Sequence, residues 1–242
     1  MRTVLAVLLS LSVSGAVAAS LEEDVQKYVG IFSGDKSGHV SAAQSLQWVG
    51  ISDKRVFDLV EQRLKADADA VRNDRVEKDR AAWYLRALGW SGDRKYEPTI
   101  SSFQGDRTYE RYAKSALAEM PRYEKWNPII SNRATFDPKL SDDANRAMNM
   151  LTSDDLQLKL LGTKRILNGS HREEQLLDRL AQDVKAGYTK GGDAETTEAI
   201  ASMLRALGSS RNPKYVELLE EAAKSSDRKI RNGAAAGLRY YR

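Results

Sequence analysis

Cysteine is absent from the 242 residues. Disulfides, thiol nucleophiles, thiolate metal sites and a lipidated N-terminal cysteine are thereby excluded, and packing alone must hold the fold. Proline is scarce, at 5, and glycine numbers 16, too few breaks for a turn-rich β architecture. Only two histidines occur, His39 and His171. Neither has a second histidine three or four residues away, the spacing of a helical metal site, and no nucleophile elbow is present. Charge of one sign is not concentrated either: 38 basic residues are interspersed with 34 acidic ones. A nucleic-acid binder shows a basic stripe instead. After the first twenty residues no run is apolar enough to cross a bilayer.

What is present is core-forming and helix-forming. Hydrophobic residues make up 41% and charged ones 30%, a composition that buries a core and argues against disorder. Ala, Leu, Arg, Lys and Glu dominate, all good helix formers. At the N-terminus, Arg2 precedes an apolar run from Val4 to Val13 and a small-x-small box at Ala16, Val17 and Ala18. This is the pattern of a cleaved signal peptide over residues 1–18, cut after Ala18 or Ala19. A single domain over 19–242 then remains, with net charge +3 once Arg2 is removed. The location this implies is periplasmic or secreted, in a bacterium.

The rest of the chain repeats itself. Leu85-Arg86-Ala87-Leu88-Gly89 recurs as Leu204-Arg205-Ala206-Leu207-Gly208, and a Lys-Tyr pair follows each, at Lys95-Tyr96 and Lys214-Tyr215. A wider template runs Asp, small pair, Leu, apolar residue, Gly. It starts at Asp35, Asp74, Asp106, Asp193 and Asp227, with a degenerate copy at Asp155 containing Gly162. In the third copy Pro121 replaces the glycine. The small pair, the Leu and the last apolar residue fall on one helical face. The Asp belongs at a helix start as cap or first-turn charge, and the Gly at its end in a left-handed conformation. Each template is therefore one helix. Second amphipathic stretches lie between templates, at 21–32, 54–64, 173–184 and 213–223, giving a helical hairpin of about 32 to 39 residues that must stack on its neighbours. The cluster Pro121, Pro128 and Pro138 predicts an irregular insertion over residues 121–150.

The run Asp227, Ile230-Arg231, Ala234-Ala235 and Leu238 resembles the second helix of HEAT repeats in their shorter, HEAT-like form. The resemblance covers most of residues 21–242. It implies an all-α, right-handed α-solenoid of about five to six helical hairpins. The family's ladder position, four after the Asp, holds Arg231 and Lys78, but His39, Glu110 and Thr197 in other copies. HEAT-like repeats also occur in bilin lyases and DNA alkylation-repair glycosylases, and the export signal argues against both.

No catalytic residues, cofactor or metal are expected. The acidic pairs, such as Asp142-Asp143 and Glu173-Glu174, sit at helix starts, where a capping charge accounts for them. Aromatics are the candidates for recognition. Trp90 follows a template glycine, while Trp126 and Phe136 sit in the expected insertion, and irregular loops on solenoids carry specificity. These three form the expected binding set. The function expected is an exported, non-catalytic scaffold that binds another protein or an extended peptide on a curved surface. It would bind no nucleic acid and insert in no membrane. The alternative is an all-helical enzyme or glycan-binding protein acting on cell-wall material.

Overall fold

The computed structural model describes residues 10–70, 74–169, 171–188 and 192–241, so most of the apolar run of the expected signal segment, in residues 1–9, lies outside it. All regular structure among the described residues is helical. The chain forms two compact units, one ending at Ala134 and one beginning at Thr135.

The first unit contains α1 (Ser10–Ser33), α2 (His39–Val49), α3 (Lys54–Ala70), α4 (Arg75–Trp90), α5 (Glu97–Ser101) and α6 (Glu110–Ile130). The second contains α7 (Asp142–Thr152), α8 (Leu156–Gly169), α9 (Glu174–Tyr188), α10 (Ala194–Ser209), α11 (Val216–Ala222) and α12 (Arg228–Leu238). Each unit is three hairpins, so the six agree with the expected α-solenoid count. Within the first unit α2, α4 and α6 pack side by side, and so do α8, α10 and α12 within the second. These are the template helices.

Aspartate caps four of the six template helices directly and the turn before the other two. Asp74, Asp193 and Asp227 cap α4, α10 and α12, each accepting two backbone N–H bonds. Asp155 does the same at α8, and Asp35 and Asp106 cap the short turns that lead into α2 and α6. The template's small pairs and leucines are buried: Ala81, Leu85 and Leu88 in one copy, and Ala201, Leu204 and Leu207 in another. Each leucine contributes on the order of 1.5–3 kcal/mol through burial.

Two expectations need correction. Gly50 is left-handed, at φ 73°, but Gly89 and Gly208 are not caps, because α4 and α10 continue past them. They are helical residues at a close crossing. A Cβ on Gly89 would stand 2.6 Å from the Ala116 carbonyl oxygen on α6, and one on Gly208 would collide with Gly237 of α12. The second correction concerns the insertion. Pro121 does not end its helix: α6 runs on to Ile130 through both Pro121 and Pro128. These prolines are seven residues apart and both exposed. The two backbone bonds they forfeit therefore lie toward the exposed side of the helix, where a lost bond costs less than in the core. Residues 142–152 are regular helix too, so the irregular stretch shrinks to 131–141.

Candidate functional site

Concave space in the first unit lies where the template helices begin. One recess of about 600 Å³ is lined by Lys78 and by residues 105–109 of the turn leading into α6. A second, of about 640 Å³, is lined by Val40 of α2, by Arg75, Val76, Lys78 and Asp79 of α4, and by Thr108, Arg111 and Tyr112. Lys78 and Thr108 line both recesses, which therefore adjoin as one groove.

The groove is cationic and its cations are unspent. Arg75, Lys78, Arg107 and Arg111 face only Asp79 and Asp106, and none of the four has a carboxylate within ion-pairing distance among the described residues. Asp106 is occupied in accepting the Thr108 N–H at 2.7 Å. Glu77, next to Lys78, is committed elsewhere, to Arg80 at 2.6 Å and Lys36 at 3.1 Å. Burial opposes its charge, but those hydrogen bonds hold its carboxyl below the usual range.

Of the groove's arginines, Arg111 is held by an aromatic ring, which it shares with Arg86 outside the lining. The Arg86 guanidinium lies 4.4 Å from the Trp83 ring and 4.9 Å from the Tyr112 ring, and that of Arg111 lies 4.5 Å from Tyr112. Arg111 also donates to the Tyr112 hydroxyl. Stacking uses a guanidinium's face and leaves its N–H edge free to grip an oxyanion.

The second unit provides an internal control, because the repeat aligns its helices with those of the first. Counted from the capping Asp, Arg75 becomes Ala194, Lys78 becomes Thr197, Arg111 becomes Asn232 and Tyr112 becomes Gly233. Arg107 and Arg86 recur as Arg228 and Arg205, the latter paired with Glu198. Gly233 sits against Ala201, where a Cβ would come within 2.6 Å of backbone. The same fold is thus built without the full cation set, so packing does not require it.

Both histidines are structural. His39 is fully buried. Its Nε2 lies 3.0 Å from the Ile31 carbonyl, which can only accept, so Nε2 carries the proton and Nδ1 takes the Tyr84 hydroxyl at 2.5 Å. Burial pushes its pKa down. His171 joins Asp143 at 3.1 Å and Glu173 at 3.4 Å, and Arg165 also donates to Asp143. The Asp143 bond raises the His171 pKa. Burial opposes ionisation of Asp143, but His171 and Arg165 hold its pKa down at about 2. Among the described residues no group of three or more His, Asp or Glu stands where it could hold a metal.

The residues expected to bind are placed differently. Trp90 and Trp126 are core, 3% and 5% exposed. The Trp90 indole N–H donates to Glu119 at 2.6 Å, and both rings pack on buried Tyr123. Phe136 is half-buried in the second unit. The groove's cations are spread over residues 75 to 111, so no run of the sequence marks it. The recurring Lys-Tyr pairs share a partner that their own spacing does not show. Tyr96 donates to Asp58 at 2.7 Å beside Lys95, and Tyr215 donates to Asp178 at 2.9 Å beside Lys214. A shared Asp about 38 residues upstream was the available signal.

No protein-family model and no curated protein matches the chain. A solved structure of human deoxyhypusine hydroxylase in complex with glycerol aligns over 97% of this chain and 98% of that one, at 13% identity and a TM-score of 0.39. Two of the three aromatics expected to form a protein-binding surface are interior, and the expectation of a scaffold that binds through them is therefore corrected.

Proposed function

We propose that the protein binds an anionic ligand in the groove of its first unit. The observation that carries this reading is the set of four cations around one concavity, without carboxylate partners, on a fold whose second copy lacks most of them. Unpaired cations side by side repel one another, and an arriving oxyanion relieves that repulsion while collecting charge-assisted hydrogen bonds. Arg111 loses little side-chain freedom on binding, because Tyr112 already holds it. Val40 and exposed Val76 at the second recess add apolar contact for the body of the ligand.

The test is calorimetric titration of the full chain with phosphate-bearing and carboxylate-bearing anions at low ionic strength. Binding should weaken about tenfold on Arg111→Ala or Lys78→Ala, the scale of one charge-assisted bond. It should also weaken as salt is added. Binding unaffected by either substitution would place the anion elsewhere and overturn the proposal.

A further inference from the structure

We infer that the second unit holds a separate site, a recess beside Arg205 that takes a small planar aromatic ring bearing one anionic group.

The internal repeat points to the ring. In the first unit the Arg86 guanidinium has the Trp83 ring at 4.4 Å and the Tyr112 ring at 4.9 Å. Its counterpart Arg205 is offered neither, because Trp83 becomes Ser202 and Tyr112 becomes Gly233 when both are counted from the capping Asp. No ring stacks on Arg205 among the described residues. Its edge is engaged instead: Nε donates to the Ala201 carbonyl at 3.2 Å and Nη2 to Glu198 at 3.1 Å. Two edge bonds fix the plane of the guanidinium and leave its face bare, and a bare guanidinium face is what an aromatic ring stacks on.

A recess of about 330 Å³ adjoins that guanidinium, at the lower end of the range for small-molecule sites. It is lined by Arg205 of α10, by Leu167 of α8, and by Ala236, Arg239 and Tyr240 at the end of α12 and just beyond it. Leu167, Ala236 and the Tyr240 ring are its apolar walls. Tyr240 is 43% exposed, so a ring seated against it removes apolar surface from water. The lining holds two guanidinium groups and no carboxylate. Glu198, outside it, is shared between Arg205 and Lys229, the latter at 3.4 Å. Arg239 has no carboxylate partner among the described residues. A single negative group on the ligand meets Arg239 while the ring covers Arg205, and the charge of the lining calls for no second one.

The test records amide shift changes of the full chain on titration with phenylacetate, cyclohexylacetate and phenylacetamide. Phenylacetate is expected to bind about two- to fivefold more tightly than cyclohexylacetate, the worth of stacking on a partly exposed cation. It should exceed the neutral phenylacetamide by a similar factor of about two to five, the worth of an exposed ion pair. The changes should centre on Leu167, Ala236 and Tyr240. Arg205→Leu keeps the bulk and removes the guanidinium, so it should bring the two acids to parity. Arg239→Ala should bring phenylacetate down to the level of its amide. Circular dichroism of each variant confirms folding, since Arg239 is exposed and Arg205 is 40% so. Equal affinity for the two acids in the unaltered protein would overturn the stacking assignment. Equal affinity for phenylacetate and phenylacetamide would overturn the anionic group. Changes confined to the first unit, or no binding of any of the three, would overturn the site. None of these outcomes bears on the groove of the first unit, whose residues both variants leave intact.

Discussion

Replacing Gly89 by Ala tests whether the template glycine is a helix cap or a crossing point. A Cβ there would stand 2.6 Å from the Ala116 carbonyl oxygen, 2.7 Å from its Cα and 2.8 Å from its Cβ, where ordinary contact begins at 3.4 Å. Two of those three atoms are backbone, so α4 and α6 must separate by about 0.8 Å, an overpacking change that costs about 1–3 kcal/mol. Against this stands the helix preference of Ala over Gly, about 1 kcal/mol in the opposite direction. The net expected effect is a loss of up to about 2 kcal/mol. Gly30 is the control, because it is exposed on α1 with nothing within 4 Å of an added Cβ. Gly30→Ala should stabilise by up to about 1 kcal/mol. Two identical chemical changes thus acquire opposite signs from their surroundings. Urea unfolding followed by tryptophan fluorescence reads the first unit, where Trp48, Trp83, Trp90 and Trp126 all lie. Separating α4 from α6 would also disturb the groove they flank. A Gly89→Ala protein as stable as Gly30→Ala would refute the crossing-point reasoning.

Tyr96→Phe and Tyr215→Phe should each cost about 1 kcal/mol, the worth of one hydrogen bond to a partly solvated carboxylate; denaturant midpoints unchanged in both would show the Asp58 and Asp178 contacts to be inert. The two histidines should give the units opposite pH responses. A raised His171 pKa adds stability below the ordinary value of 6.5 that is lost as pH rises through the folded value, whereas a lowered His39 pKa adds stability above 6.5 that is lost on acidification. Asp143 adds stability above its ordinary 3.8 that fades as pH falls toward about 2. Fluorescence should therefore report a first unit weakening below pH 6.5, and His171→Gln should flatten the alkaline decline seen by circular dichroism; responses of the same sign in both units would contradict the assignment. For the N-terminus, the proposed signal cleavage would leave Ala19 or Ser20 as the first residue of the recovered protein by mass spectrometry, and an intact Met1 would end the export proposal.

The fold was legible because its markers are local. An Asp that caps, a small pair and a leucine at helical spacing all act within one helix, and four of the six aspartates cap their template helix directly while Asp35 and Asp106 cap the turn before it. The glycines misled because a close crossing and a left-handed cap both demand Gly, and only the neighbouring helix tells them apart. Pro121 misled because proline's effect depends on which way the lost carbonyl faces. The site was least legible. Trp90 and Trp126 read as recognition residues by type, yet their position relative to α6 puts them inside. The groove's cations come from α4, α6 and the turn between α5 and α6, are separated by up to 36 residues, and lie in a chain whose overall charge is balanced. Nothing in their spacing announces a cluster.

The most direct test of the central claim is a map of amide shift changes across the assigned full-length protein during a tripolyphosphate titration. Saturable changes centred on Lys78, Thr108 and Arg111, with the corresponding residues Thr197, Lys229 and Asn232 still, are the outcome the groove predicts. Changes centred in the second unit, or none at concentrations that bind other cationic clefts, would contradict it.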